Sequence, residues 1–259
     1  MTKPHVDYDQ LAATYNRRFA AGENQGVASA LLAQVESSHA ASALEIGCGT
    51  GHWLAHLYPS VHTCCGLDLS GGMLSQARHC AGIQRLVQGY ASAQPFKDAT
   101  FDFVYCVNAI HHFGKPASFI QEAFRVLRPG GRLAVIGSDP HSQEETWYLY
   151  HYFEGTYETD MARFPRWETV REWVAAAGFK APTLQEVERI QDIRQGWEIL
   201  SDPFLKKESC SQLALLSDAA YAAGVRRIEE AIAKAEARGE PISFKSEILL
   251  KMLVARKPD

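Results

Sequence analysis

No apolar run in this 259-residue chain reaches the roughly 20 residues needed to span a bilayer. The opening stretch, Met1-Thr-Lys-Pro-His-Val-Asp7, also lacks the apolar centre of a signal peptide. These two absences set the expectation of a cytoplasmic protein with no membrane insertion. Cysteine is present at six positions, but none shows Cys-x-x-Cys spacing. Reduced, core-filling thiols are therefore expected, and no metal site. An excess of positive charge is missing too: the formal net charge is −4, so no global basic field draws in nucleic acid. Pairs such as Lys206-Lys207 and Arg226-Arg227 read as solvated helix faces. There is no internal repeat and no low-complexity segment. What is present is an ordinary globular composition, 46% hydrophobic and 22% charged. The length suits one large domain with elaborations, or a core with a cap.

Taken in order, residues 5–20 carry Val6, Tyr8, Leu11, Ala12, Tyr15 and Phe19 at helical spacing. Residues 22–26 interrupt, and Val27–Val35 reads as a second amphipathic helix; both are expected outside the core sheet. From 43 onward strand and helix alternate. The predicted strands are 43–47, 62–68, 84–88, 101–107, 132–137, 184–190 and 248–255. Helices are predicted at 52–57, at 71–80 with Ser70 as cap, at 116–127 with Pro116 at the start, and at 167–177, stopped by Gly178. Such alternation predicts an α/β fold with a mostly parallel sheet and helices on both faces. Two segments stand outside it. Residues 139–166 are unusually aromatic, and residues 191–246 read as largely helical, with helices at 210–221 and 225–238. Together with residues 1–36 they are the expected cap over the carboxyl ends of the strands, where doubly wound sheets bind ligands. The remaining residues, 37–259, form the expected binding domain with these two insertions.

The chain is organised around Leu44-Glu-Ile-Gly-Cys-Gly-Thr-Gly51. A short apolar strand ends in glycines that let the backbone turn tightly and bring N–H groups close to a ligand, with a helix N-terminus behind them. This is a nucleotide-type loop. The spacing is Gly-x-Gly-x-Gly, whereas a dinucleotide fingerprint needs Gly-x-Gly-x-x-Gly and would place its third glycine at His52. A phosphate-binding P-loop is excluded by the absence of Gly-Lys-Ser/Thr. Asp68 stands 21 positions after Gly47, at the end of the second strand, where a carboxylate can accept both ribose hydroxyls. Glu45, beside the first glycine, suits a ligand with a positive amino group and repels a pyrophosphate. Spacing and acids together favour S-adenosylmethionine.

The sequence resembles the class I S-adenosylmethionine-dependent methyltransferases, in particular the small-molecule group that includes quinone-biosynthesis C-methyltransferases. The resemblance rests on four ordered motifs. These are the loop 44–51, Gly66-Leu-Asp-Leu-Ser70 with Met73-Leu74, Gln94-Pro-Phe-Lys-Asp-Ala-Thr-Phe-Asp-Phe-Val104, and Glu122-Ala-Phe-Arg-Val-Leu-Arg-Pro-Gly-Gly131. They cover roughly residues 40–140, and Ala177-Gly178-Phe179 fits a later helix end. The resemblance implies a Rossmann-like seven-stranded sheet with a reversed last strand, 248–255. It also implies roles by position. Gly47, Cys48, Gly49 and Gly51 would pack on the methionine moiety, Glu45 would approach its amino group, and Asp68 would hold the ribose. Leu69 and Met73 would flank the adenine, and Tyr15, in Tyr8-Asp-x-x-Ala-x-x-Tyr15, would close over the cofactor. Where the family has Gly-Asp-Ala, this chain has Gly89-Tyr90-Ala91, so adenine would rely on the Ala91 backbone and on stacking rather than on an aspartate.

Methyl transfer needs the acceptor placed in line behind the methyl group, and a base only when the acceptor must lose a proton. Val107-Asn-Ala-Ile-His-His-Phe113, after the fourth strand, places Asn108, His111 and His112 at the reactive rim. His111 or His112 is the expected base, with Asp139 as its orienting partner, because imidazole titrates near neutrality. Helix capping and packing beneath it is the alternative for this pair. The aromatic run 147–157 either lines an acceptor pocket or fills a cap. Arg163 and Arg166 read as solvated, with binding of an acidic acceptor as the alternative. The expected function is transfer of a methyl group to oxygen or carbon of a small, partly apolar acceptor. A nicotinamide-dependent oxidoreductase and a non-catalytic cofactor-binding module are the competing readings, and a protein acceptor is a variant of the first. The sequence leaves the oligomeric state open.

Overall fold

The computed structural model describes residues 6–12, 15, 25–81 and 83–259. Chain order begins with α1 (Tyr8–Leu11), α2 (Gln25–Ser38), β1 (Ser42–Ile46), α3 (His52–Leu57), β2 (Thr63–Asp68), α4 (Gly71–Ala81), β3 (Leu86–Gln88) and β4 (Phe101–Val107). It continues with α5 (Pro116–Val126), β5 (Leu127–Gly137), β6 (Thr146–Trp147), α6 (Tyr148–Tyr152), α7 (Thr156–Arg163) and α8 (Trp167–Ala176). The last elements are β7 (Lys180–Gln195), α9 (Ser211–Ala214), α10 (Asp218–Arg238) and β8 (Ser243–Arg256). The sheet runs β3-β2-β1-β4-β5-β8, with β7 on the far side of β8 and the two-residue β6 alongside the start of β8. Among the described residues only β8 is reversed: it pairs antiparallel with β5, β6 and β7, while the pairs from β3 to β5 are parallel. The seven expected strands are all present, and β6 is an eighth, minimal one.

Period-two alternation explains the two faces. On β4, Val104 and Cys106 point into one core with α5 and α8, while Phe103, Tyr105 and Val107 point into the other with α2 and α3. β1 is buried along its whole length, as the central position requires. A third core, built from α6, α9, α10 and the start of β8, holds Leu149, Phe153, Leu213, Ile228, Ile232 and Phe244. This is the cap.

Several expectations change here. α2 runs from Gln25, so Gly26 lies inside it, and its Val27, Leu31 and Val35 belong to the sheet core rather than to a lid. Glu188 on β7 accepts from the free N–H groups of Gly26 and Val27, which fixes the helix start against the sheet. The outer strands are longer than their apolar centres, so the inserted segment is confined to residues 196–242. Residues 210–221 do not form one helix. α9 is a single turn, Ser217 caps a fresh start at Asp218, and α10 then runs unbroken through Gly224. Gly224 is a packing glycine rather than a breaker: a Cβ there would lie 2.2 Å from the Phe153 ring.

Candidate active site

The three loop glycines all adopt left-handed backbone, with φ of +71°, +52° and +79° at Gly47, Gly49 and Gly51. They do different work. A Cβ on Gly47 would strike Ala109, and one on Gly51 would strike Ile83 and Ala77, whereas one on Gly49 would meet nothing within 4 Å. Gly47 and Gly49 wall a cleft, and Gly51 instead lets α3 and α4 approach. Cys48 is buried with its sulfur towards Gly66, so its side chain also faces the core rather than the cleft. Asp68 lines the cleft and accepts from the N–H groups of Gly49 (2.8 Å) and Ser70 (2.9 Å), locking loop to strand end. Burial raises its pKa, opposed by those bonds and assisted by the Asp9 charge.

Glu45 departs from its expected place. On β1 it shares a face with Ala43, opposite Leu44 and Ile46, and therefore lies within the core at 1% exposure rather than along the cleft. Tyr105 O–H donates to its Oε2 at 3.2 Å, while Oε1 is buried without a partner. Burial pushes its pKa well up, the Tyr105 bond opposing and the Asp68 charge adding.

The other end of the cleft is formed by Leu69, Met73, Tyr90, Ala91 and Ser92. Leu69 is 43% and Tyr90 64% exposed, large side chains set open at a concave rim. This is the surface a flat heterocycle would cover, and the open face of Gly49 leaves room for the chain that joins it. Both observations fit S-adenosylmethionine.

The cleft leads into a second cavity, and Tyr8, Tyr15, Asn108 and His112 border both. Asn108 holds φ +49°, its N–H bonded to Ile136 O, which turns the chain into the junction. The Tyr8 hydroxyl and His112 Nε2 share a hydrogen bond at 2.7 Å. α1 is docked by Asp9, whose Oδ1 accepts from Ser70 Oγ (2.6 Å) and Gly72 N–H (2.7 Å) at the start of α4. His111 borders only the second cavity, its ring stacked on Phe164 at 3.8 Å. Asp139 is the clearest correction. It accepts from the N–H groups of His141 and Trp167, capping a short 3-10 turn and the start of α8, so its carboxylate orients neither His111 nor His112.

Trp53, Trp147, Phe164, Phe204, Ile248 and Leu250 give the second cavity an aromatic and aliphatic wall, with Ser211 and Gln212 as a polar patch. The aromatic run thus does both jobs: Trp147 lines the cavity, while Tyr148 and Phe153 fill the cap. Arg166 is exposed, but Arg163 is buried and paired with Asp160. Among the described residues no group of three His, Cys, Asp or Glu side chains is placed to hold a metal. No helix of the described residues is long and apolar enough to cross a membrane. Sequence reading passed over Tyr8, Ser92, Ser211 and Gln212; only Tyr8, seven residues before Tyr15, carried a usable signal.

A parallel sheet with one reversed strand between β5 and β7, a Gly-x-Gly-x-Gly loop over an aspartate and a cleft opening on a second cavity define the class I methyltransferase scaffold. Comparison agrees: residues 44–135 match a family model described as a methyltransferase domain. The matched stretch contains the glycine loop, Asp68 and the 108–113 segment. The chain is 33% identical over 123 residues to the uncharacterized methyltransferase YcgJ of Bacillus subtilis (strain 168), covering 46% of this chain and 47% of that one. The crystal structure of YcgJ matches with a TM-score of 0.56 at 20% identity, over 90% of this chain and 98% of that one. The ubiquinone/menaquinone biosynthesis C-methyltransferase UbiE of Ruegeria sp. (strain TM1040) is 31% identical over 159 residues, 51% of this chain and 63% of the relative. A Haemonchus contortus phosphoethanolamine N-methyltransferase 2 in complex with S-adenosyl-L-methionine shares the fold, with a TM-score of 0.58 at 19% identity, over 97% of this chain and 57% of that one. The chain spans about half the length of the first curated relatives it matches. The model matched is one of methyltransferases, which favours that reading of the cleft over the nicotinamide alternative.

Proposed function

We propose that this protein transfers a methyl group from S-adenosylmethionine to oxygen or carbon of a small, largely apolar acceptor held in the second cavity. One observation carries the reading: Tyr8, Tyr15, Asn108 and His112 wall both the nucleotide cleft and the aromatic cavity, so donor and acceptor meet at their shared boundary. The cofactor supplies an activated methyl on a sulfonium. Gly47, Gly49 and Asp68 would hold its polar chain and ribose, and Leu69, Met73 and Tyr90 its base. Glu45, behind the loop, would act on its amino group through field rather than contact. The aromatic walls exclude water and favour nearby positive charge. For an acceptor that must lose a proton, His112 is the base. The Tyr8 hydroxyl takes that proton as it gives its own to Nε2, so positive charge ends on the imidazole. His111, stacked on Phe164, packs the acceptor side.

UbiE is named as a C-methyltransferase, and malonyl-[acyl-carrier protein] O-methyltransferases are also among the relatives, so carbon and oxygen acceptors both have precedent in them. The test is incubation with methyl-labelled cofactor and a metabolite extract, followed by mass spectrometry. A product carrying one labelled methyl group supports the reading. Cofactor binding with no labelled product from any extract would replace it with a non-catalytic module.

A further inference from the structure

The second cavity backs onto a buried ion pair. Arg163 Nη2 donates to Asp160 Oδ1 at 2.6 Å, and the two side chains are 4% and 0% exposed. Asp160 Oδ2 accepts from Tyr150 O–H (2.8 Å) and from Gln212 Nε2 (2.7 Å). Arg163 Nη2 also donates to Ser211 Oγ at 3.1 Å, while its Nε is buried without a partner. Ser211 and Gln212 are the residues that face the cavity, and the guanidinium lies 5.6 Å over the ring of Phe164, another wall residue.

Three consequences follow from chemistry. The bond to Asp160 fixes the Gln212 amide with its nitrogen on the carboxylate, and an amide nitrogen has a second N–H to offer. The Ser211 hydroxyl accepts from the Arg163 cation and donates to Gln212 Oε1 at 3.3 Å, which holds the amide so that the second Gln212 N–H is the donor on offer. Finally, the positive charge of Arg163 is spent on Asp160. A ligand carboxylate or phosphate placed here would meet no net positive charge from this group, whereas a carbonyl or hydroxyl oxygen would find a fixed donor.

We propose that the Asp160–Arg163 pair is a selectivity device: it presents Ser211 and Gln212 to a neutral oxygen of the acceptor and turns away anionic acceptors of the same shape. This rests on the second cavity being the acceptor site. A cavity built to hydrogen-bond a particular group discriminates strongly against analogues that leave its polar groups unmatched.

The test uses the full chain loaded with S-adenosylhomocysteine and two probes of like size, 4-hydroxyacetophenone and 4-hydroxybenzoate, titrated at neutral pH. Wild type is expected to bind the neutral probe about tenfold more tightly than the anion. Asp160→Asn frees the Arg163 charge and is expected to reverse that order. Gln212→Leu is expected to weaken the neutral probe several-fold with S-adenosylhomocysteine affinity unchanged. Equal binding of the two probes by wild type overturns the proposal, as does an Asp160→Asn ratio equal to wild type. If Asp160→Asn does not fold, undiminished binding of the neutral probe by Gln212→Leu overturns it. Methyl transfer does not enter the readout. Absence of labelled product would sink the proposed function and leave the probe ratios standing, whereas lost selectivity would sink only this inference.

Discussion

At the scale of single residues, three glycines that look alike in the sequence separate into two jobs. Gly49→Ala puts a methyl group into open cleft and is expected to cost about 1 kcal/mol for left-handed alanine, while lowering cofactor affinity sharply. Gly51→Ala adds a clash with Ile83 and Ala77 to the same backbone penalty and is expected to cost about 3 kcal/mol. Thermal melts with and without S-adenosylmethionine separate the two; equal losses of affinity would contradict the division. Asp68→Asn keeps the shape but removes the charge, and cofactor affinity measured calorimetrically should fall at least about tenfold. Glu145 gives a pH signature. Its folded pKa is raised from 4.5 to about 7 by burial, so the folded protein holds that proton more tightly than the unfolded chain. Its contribution to stability is therefore lost as pH rises from the ordinary carboxylate range to about 7, by about 3 kcal/mol at most. Glu145→Gln should flatten that slope and be more stable than wild type at pH 8, read by denaturant midpoints. The loop glycines and the place of Asp68 beside the cleft were legible in the sequence, because a tight strand-to-helix turn needs left-handed backbone and the strand end sets the aspartate next to it. That the Glu45 and Cys48 side chains turn into the core was not legible, because a motif does not display which way each side chain leaves the backbone.

At the scale of elements, α10 runs through Gly224, which lies in the gap between the two expected helices 210–221 and 225–238. A glycine in mid-helix costs about 1 kcal/mol relative to alanine, and here that cost makes room for the Phe153 ring. Gly224→Ala should relieve the backbone cost yet destabilise the cap by about 2 kcal/mol net, with S-adenosylhomocysteine affinity unchanged. A stabilised protein would show that Phe153 can move aside. The docking of α1 is the second element-level device. Asp9 holds the start of α4, and the preceding Tyr8 holds His112. Asp9→Ala should therefore speed cofactor release several-fold in stopped-flow measurements, with little change in overall melting temperature. Period and capping made α3, α4, α5 and α8 legible, because amphipathic faces on a buried sheet leave a clear trace. The cap was legible only as a region: its helices pack on one another through Trp147, Phe153 and Phe244, partners far apart in the chain.

At the scale of the whole molecule, β8 joins everything. Leu253 belongs to one face core, Leu250 and Met252 to the other, and Phe244 to the cap. Leu253→Ala removes a fully buried side chain and should cost about 3 kcal/mol. Core and cap should melt together in wild type, since one strand carries both; two separated calorimetric transitions would contradict that linkage. The alternation of strand and helix made the sheet legible, but the polar ends of β7 and β8 hid how far those strands run beyond it.

The reversed strand has a consequence for biosynthesis. β8 is inserted between β5 and β7 although it leaves the ribosome after both, so its slot in the middle of the sheet must stay open while the intervening cap is made. Its Ile248 and Leu250 wall the second cavity, whereas among the described residues the glycine-loop cleft draws on none later than Lys115. A nascent chain therefore holds these cleft residues long before it holds the complete second cavity. The exposed edge of β5 is the surface a chaperone would have to guard in between.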